Sequence, residues 1–338
     1  MSWVEVGSQL WSPRGAELGI GPDGRPTTPV VILTDGLSAP SNDAYTEEPG
    51  PVVVVLASSS AEVAPALAER ADVVLVERDP DRRAVAVADP LASARALATI
   101  VCERPTSSLS LVWLLRSESY RDLRRGLVAE SATYSMLLAG EEFQRWREDR
   151  PRRSREQAAT PRTRVSRDGD VLRVTLTHPS RRNAMDAQMR DELLEALELA
   201  RWDESLSVVL DADGPCFSSG GDLDEFATTP DPSRAHLIRS TASVGGVLAE
   251  LSGRVLVRVH GDCFGAGVEL PAFAGRVVAR PGTTFTLPEI SMGLVPGAGG
   301  TTSIPRRIGR HRTTWWALSG RTLDASTALT WGLIDATE

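Results

Sequence analysis

The sequence contains no lysine: all 37 basic side chains among its 338 residues are arginines. That absence excludes a lysine nucleophile, a Schiff base and the phosphate-gripping lysine of a P-loop. It fits GC-rich codon usage and says more about the genome than about function. Cysteine is scarce as well. Cys102, Cys216 and Cys263 show no C-x-x-C spacing, so neither a disulfide framework nor a zinc site is expected. The four histidines, His178, His236, His260 and His311, share no metal-ligand spacing and are read as structural or exposed. Long apolar runs are missing too. The longest, PVVVVLA at 51–57, suits a buried strand and is far too short to cross a bilayer. The opening MSWVEVGSQL carries Glu5 and no apolar core, so no signal peptide is expected and the cytoplasm is the default compartment. A net charge of −8 argues against nucleic acid as the main partner, because phosphate binding needs a basic surface.

With 41% hydrophobic and 24% charged residues, the composition is that of a soluble globular protein, long enough for two cored domains. The first block runs PVVVVLA, SSSAEVAPALAERA, DVVLVERD: strand, Ser-capped helix, strand. PLASARALATIVCER and the stretch from Ser119 to Glu148 read as helices. Between 144 and 170 there are nine arginines, two prolines and almost no aliphatic residues. This reads as a solvated linker, with a phosphate-contacting arm as the alternative. It divides the chain into residues 1–160, a smaller α/β domain, and residues 161–338.

Beyond the linker the pattern becomes regular. VLRVTLTHP is a strand, Asp186 caps the helix AQMRDELLEALELARW, and SVVLDADG is a second strand. A Gly turn at 220–221, a helix within 232–251 and the strand VLVRVHGD follow, then RVVARPG and TFTLPEI. Strand, turn and helix recur about every 45–50 residues, which fits a superhelix of β and α units or a doubly wound sheet. Three Gly turns stand out: FSSGGDLDEF, GDCFGAGVEL and GLVPGAGGTT. The first two follow a strand and precede a helix, where glycine lets a ligand approach backbone N–H groups. Two such turns side by side could aim two donors at one oxygen, an oxyanion hole. None matches G-x-G-x-x-G. Ser218 and Ser219 lie beside a Gly turn, but no G-x-S-x-G or accompanying His and Asp set is evident, so a serine hydrolase is disfavoured. Glu269 and Glu289 lie near the turns among apolar neighbours; each is either a capped acid or one of a pair whose buried carboxyls do acid–base work. Trp315 and Trp316 read as core or interface.

From about Val171 to Asp335 the sequence resembles the crotonase, or enoyl-CoA hydratase/isomerase, superfamily. The resemblance is carried by VTLTHPSRRNAMDAQM, CFSSGGDLDEF, VHGDCFGAGVELPAFAGRVVA, TFTLPEISMGLVPGAGGTTSIPRRIG and LSGRTLDASTALTWGLID, in that order. It implies a spiral of ββα repeats that binds an acyl-CoA thioester. The oxyanion donors fall on the N–H groups of Gly221 and Ala266; the family more often has Gly at the second, and Ala serves if its backbone angles allow. Glu269 and Glu289 occupy the two catalytic glutamate positions of the hydratase branch, which implies addition of water to a 2-enoyl-CoA or its reverse. Other enolate chemistry (isomerisation, hydrolysis, oxygenation) or non-catalytic CoA binding are the alternatives. The CoA contacts implied are Arg181, Arg182, Ala184, Met185, Ser219 and Leu223. No metal and no cofactor besides CoA is implied, and a homo-oligomer, trimer or hexamer, is typical. Two departures are visible. The family usually continues past GLID with helices that close the acyl pocket, and about 160 residues precede the matching region. Within them LVAESATYSMLLAGEEFQRWR is similar to extensions of a subgroup from actinobacterial specialised metabolism, which includes a cofactor-independent dioxygenase of a dihydroxyphenylacetyl-CoA. Such an extension is expected to cover the pocket.

Overall fold

The computed structural model describes residues 3–6, 18–34, 49–150, 152–153, 160–229 and 231–338. These form two compact units. The first is Met1–Glu118 with Ile308–Ser319, the second Ser119–Arg307 with Gly320–Glu338.

The first unit is built on a parallel sheet whose strands lie in chain order: β1 (Val4–Val6), β2 (Val30–Leu33), β3 (Val52–Ser59), β4 (Val73–Arg78) and β5 (Val85–Ala86). All of β2 and the first parts of β3 and β4 are buried. This is why they read as unbroken Val, Ile and Leu rather than as alternation. The helix expected between β3 and β4 shrinks to α1 (Pro65–Arg70), because Pro65 can start a helix but not continue one. α2 (Pro90–Glu103) is capped by Asp89, which accepts the Ala92 N–H at 2.8 Å. Pro105 then stops it and opens α3 (Pro105–Arg116), a helix the sequence pattern did not separate. The helix Arg310–Ser319 packs on α2, α3 and β4 and buries Trp315 and Trp316.

The second unit begins with α4 (Leu123–Leu138) and α5 (Glu141–Glu148), two helices where one had been expected, separated at Gly140. The division between units thus lies ahead of the Arg-rich stretch: α4 packs on helices of the second unit, and α5 on the turn at 289–292. Part of that stretch is a strand. β6 (Thr163–Asp168) pairs antiparallel with β7 (Val171–Leu176) around Gly169, at φ 55°. After α6 (Ala187–Trp202), capped by Asp186 as expected, come β8 (Ser207–Ala212), α7 (Pro232–Thr241) and α8 (Val244–Glu250). Ser243 caps α8 through the Gly246 N–H and so breaks the single helix anticipated over 232–251.

The chain then moves back and forth between two sheets. β9 (Val255–Val259) and β11 (Arg276–Ala279) lie in the large sheet, of order β14-β11-β9-β8-β7-β6. β10 (Asp262–Phe264) and β12 (Thr284–Thr286) lie in a small sheet with β13 (Leu323–Asp324). α9 (Ala266–Glu269) and α10 (Gly300–Ile308) follow the small-sheet strands; α11 is the helix Arg310–Ser319 already described, and α12 (Ala325–Trp331) and β14 (Ala336–Thr337) end the chain. One strand in each sheet and then a helix, repeated, is a spiral of ββα units. It stacks the turn after each small-sheet strand on the turn of the previous repeat.

Candidate active site

The stacking brings the first two Gly turns into backbone contact. Phe264 donates its N–H to Ser218 O at 3.1 Å. A Cβ on Gly267 would fall 2.5 Å from Ser218 O. One on Gly220, at φ 89°, would fall 2.8 Å from Phe264 O and 3.6 Å from the Ala266 nitrogen. Glycine at both positions is therefore what lets the turns lie side by side. Next to this contact are the N–H groups of Gly221 and Ala266, and among the described residues neither donates a hydrogen bond. Both residues border a cavity of about 860 Å³. The unusual backbone angles (φ 45°, ψ −115°) fall on Gly265, whereas Ala266 is the first helical residue of α9, where an N–H has no intrahelical partner. Alanine at 266 therefore needs no strain to present its donor.

Glu269 and Glu289 flank the same turn. A Cβ on Gly265 would meet Glu289 Oε1 at 2.5 Å and Glu269 Oε1 at 3.7 Å, so both carboxylates converge on this glycine. Each is buried, but their surroundings differ. Glu269 Oε2 accepts the N–H groups of Ala298 and Gly300 at 2.7 and 2.8 Å, at the start of α10. Glu289 Oε2 is buried with no hydrogen-bond partner among the described residues. Burial pushes Glu269 up to about 7, against the pull of those two N–H bonds. Burial also raises Glu289 well above the usual carboxylate range, and the charge of Glu269 raises it further.

A third carboxylate belongs to this group, and motif reading missed it. Glu130 of α4 is 2% exposed and accepts Gly299 N–H (2.6 Å), Thr301 N–H (2.8 Å) and Thr301 Oγ1 (2.7 Å). The four successive N–H groups of 298–301 are thus shared alternately, two by Glu269 and two by Glu130. Burial pushes Glu130 up to about 8, with the charge of Glu269 adding to it and the Thr301 and Gly299 bonds opposing it. The signal in the sequence was the i, i+4 row Gly126, Glu130, Tyr134, Leu138. It puts an acid on the inward face of a helix whose Val128 and Met136 point outward.

α4 also supplies a wall of the cavity through Leu127, Ser131 and Tyr134, as expected of a segment that covers the pocket. The Tyr134 ring lies against Gly297, where a Cβ would fall 2.4 Å from it, and meets Phe226 edge-on at 6.2 Å. Phe226 in turn covers Gly221.

The anticipated CoA contacts are less gathered. Met185 borders the cavity; Arg181, Arg182, Ala184, Ser219 and Leu223 do not. Ser219 N–H donates to Arg182 O and Ser219 Oγ to Arg181 O, so these two segments run together beside the Gly221 turn. The Arg181 guanidinium is committed to Asp222 and Asp224 at 2.7–3.2 Å. Arg182 is exposed, and Leu223 is 42% exposed. Part of the Arg-rich stretch is engaged as well: Arg147 donates to Leu223 O, Arg152 to Phe226 O and Ala227 O, and the Arg153 N–H to Asp224. Among the described residues no helix is long and apolar enough to cross a membrane.

This geometry can be set beside known proteins. The enoyl-CoA hydratase/isomerase family matches residues 166–337. The chain is 35% identical over 171 residues to the 2,3-dehydroadipyl-CoA hydratase of Escherichia coli, covering 50% of this chain and 66% of that protein. It is 31% identical over 176 residues to a 4-chlorobenzoyl coenzyme A dehalogenase of an Arthrobacter species, covering 51% and 64%. The match therefore spans slightly less than two thirds of these relatives. Among solved structures, an enoyl-CoA hydratase from Thermoplasma volcanium aligns over 53% of this chain and 72% of its own, at 28% identity and a TM-score of 0.49. The family model matches half of the sequence, and the chain belongs to the enoyl-CoA hydratase/isomerase family.

Proposed function

We propose that the protein adds water to a 2-enoyl-CoA thioester, or removes it in reverse. The reading rests on one observation: Glu269 and Glu289 converge on Gly265 with unequal support. Two N–H bonds favour the ionised form of Glu269, whereas Oε2 of Glu289 has no partner among the described residues and only its own backbone N–H opposes the rise. Near neutral pH this gives one carboxylate to act as base and one carboxylic acid to act as donor, the division of labour that environment imposes on paired acids.

Glu269 takes a proton from water as its oxygen bonds to Cβ. The electron pair of the alkene moves toward the thioester, and negative charge collects on its oxygen, where the N–H groups of Gly221 and Ala266 receive it. Glu289 then delivers its proton to Cα. Loss of one such donor costs a factor of about 10²–10³ in rate. The chemistry needs no metal or cofactor beyond the CoA of the substrate. For the CoA itself, the exposed Arg182 suits a phosphate better than Arg181, whose guanidinium is occupied.

Incubation with a panel of 2-enoyl-CoA thioesters in ¹⁸O-labelled water tests the reading. The expected product carries label on the Cβ hydroxyl, and Glu269→Gln and Glu289→Gln abolish it. Product without label would replace hydration by another enolate chemistry. Thioester binding with no product would leave a binding protein.

A further inference from the structure

Among the described residues, one cation bordering the cavity forms no ion pair. Arg239 of α7 reaches the wall that α4 forms. Its Nε donates to Ser131 Oγ at 3.3 Å and its Nη2 to Ser131 O at 3.4 Å and to Ser135 Oγ. Its Cζ stands 5.0 Å over the Tyr134 ring. Those contacts fix one edge of the guanidinium and use three of its N–H bonds. Among the described residues nothing accepts from Nη1, and no carboxylate is paired with Arg239. Every fixed partner is neutral.

Other charged groups near the cavity do not fill this role. Glu130, one residue before Ser131, turns its oxygens away to the 299–301 turn. Arg190 also borders the cavity but is already paired with Asp191 at 2.6 Å. Arg239 is half-buried, and a guanidinium partly shielded from water gains from an acceptor that completes its hydrogen bonds. Here two serines and an aromatic face hold that guanidinium at the border of the cavity, and the His236 ring meets Ser131 Oγ through Nδ1 at 3.0 Å. Burial lowers the Arg239 pKa, with Tyr134 and Glu130 acting in the opposite sense.

We propose that Arg239, held in place by Ser131 and Ser135, forms an anion subsite for the far end of the acyl group. The substrate class is then the CoA monothioester of an unsaturated dicarboxylic acid. The order of groups along the wall supports this. From the Gly221 donor the wall passes to the Phe226 ring, then the Tyr134 ring, then the Arg239 guanidinium. A thioester at the donors would lay its apolar carbons along the two rings and bring a terminal carboxylate to Nη1. This deepens the proposed function and rests on it only in placing the thioester at Gly221 and Ala266.

The test uses saturated thioesters, which no hydratase can turn over. Adipyl-CoA and hexanoyl-CoA have equal carbon counts and differ in the terminal carboxylate. Calorimetric titration of the full chain is expected to show adipyl-CoA bound at least about tenfold tighter, a charge-assisted hydrogen bond's worth of affinity. In Arg239→Met that ratio should fall to about one, and Arg239→Lys should restore part of it; a thermal melt of each variant checks folding. Equal or weaker binding of adipyl-CoA by the wild-type protein overturns the subsite, whatever the variants do. A preference that survives in folded Arg239→Met overturns it too. Because binding is read without chemistry, a tenfold preference with no labelled hydration product would retain the subsite and remove the hydratase reading; the converse result would do the opposite.

Discussion

Both units pair buried acids with arginines, as at Asp72 in the first and Asp186 in the second, but one group of acids in the second is treated differently. In the first, Asp72 is 1% exposed and is answered by a cation: Arg116 donates to it through Nε at 2.8 Å and through Nη2, and the Val53 N–H adds a third bond at 2.8 Å. In the second, Glu130, Glu269 and Glu289 share one region and no cation pairs with any of them among the described residues. Backbone N–H groups serve two of them, and nothing serves one oxygen of the third. A buried acid matched by a guanidinium is part of a scaffold. Three acids held close together with raised pKa values are a stressed arrangement that folding alone would not select, and such arrangements collect at sites of chemistry.

Mutation should separate the two cases. The largest effect is expected at the acids proposed to react. Glu289→Gln should lower kcat for hydration by about 10³, within the range for loss of a positioned acid or base, while its melting temperature holds or rises. A destabilised but active variant would contradict the assignment. In the first unit, Arg116→Met should leave Asp72 buried and uncompensated and cost about 2–3 kcal/mol of stability in a urea titration, somewhat less than a fully buried pair because Arg116 is partly exposed.

Next comes the pH dependence of folding. Carboxyls whose native pKa values are raised to about 7 and about 8 favour the folded state most fully when protonated. Their contribution is complete below the unfolded value near 4.5 and is lost as pH rises through the native values. The melting temperature should therefore fall between pH 5 and pH 8, and Glu130→Gln should flatten that fall. A profile that rises with pH would contradict it. Activity should move in the opposite sense over the lower part of this range, since Glu269 must ionise to act as base. Glu130→Gln should also shift the basic limb of the kcat profile to lower pH, because the Glu130 charge helps to hold the proton on Glu289. The smallest effect is expected at Ala266→Gly, less than about twofold in kcat/KM, since the donor is backbone and the alanine is already helical.

The legible part of the molecule was the part where local sequence does the work. Gly220 and Gly267 are required by close backbone approach and Gly265 by its backbone angles and the carboxylates beside it, and Glu269 and Glu289 stood out as acids among apolar neighbours near those turns. The strands of the first unit announced themselves as apolar runs. What stayed hidden depends on packing between distant segments. Glu130 lies on a helix like many others until Gly299 and Thr301, some 170 residues later, turn their N–H groups toward it. Arg239 is one of 37 arginines, and only the fold shows that its guanidinium borders the cavity. β6 was concealed in a run of charge because an exposed edge strand needs no apolar face.

The alternate sharing of the 298–301 amides has a consequence for inheritance. The stretch that matches the family carries the two glutamates and the two N–H donors to which we assign the reaction, yet the acid that shares their amides and the ring bordering their pocket come from a helix outside it. Such a helix can be exchanged or drift without touching the groups that hold a thioester. New acyl specificities are thus most accessible through substitutions at Ser131, Tyr134 and Ser135. At position 130, by contrast, drift would reach the amides that Glu269 shares.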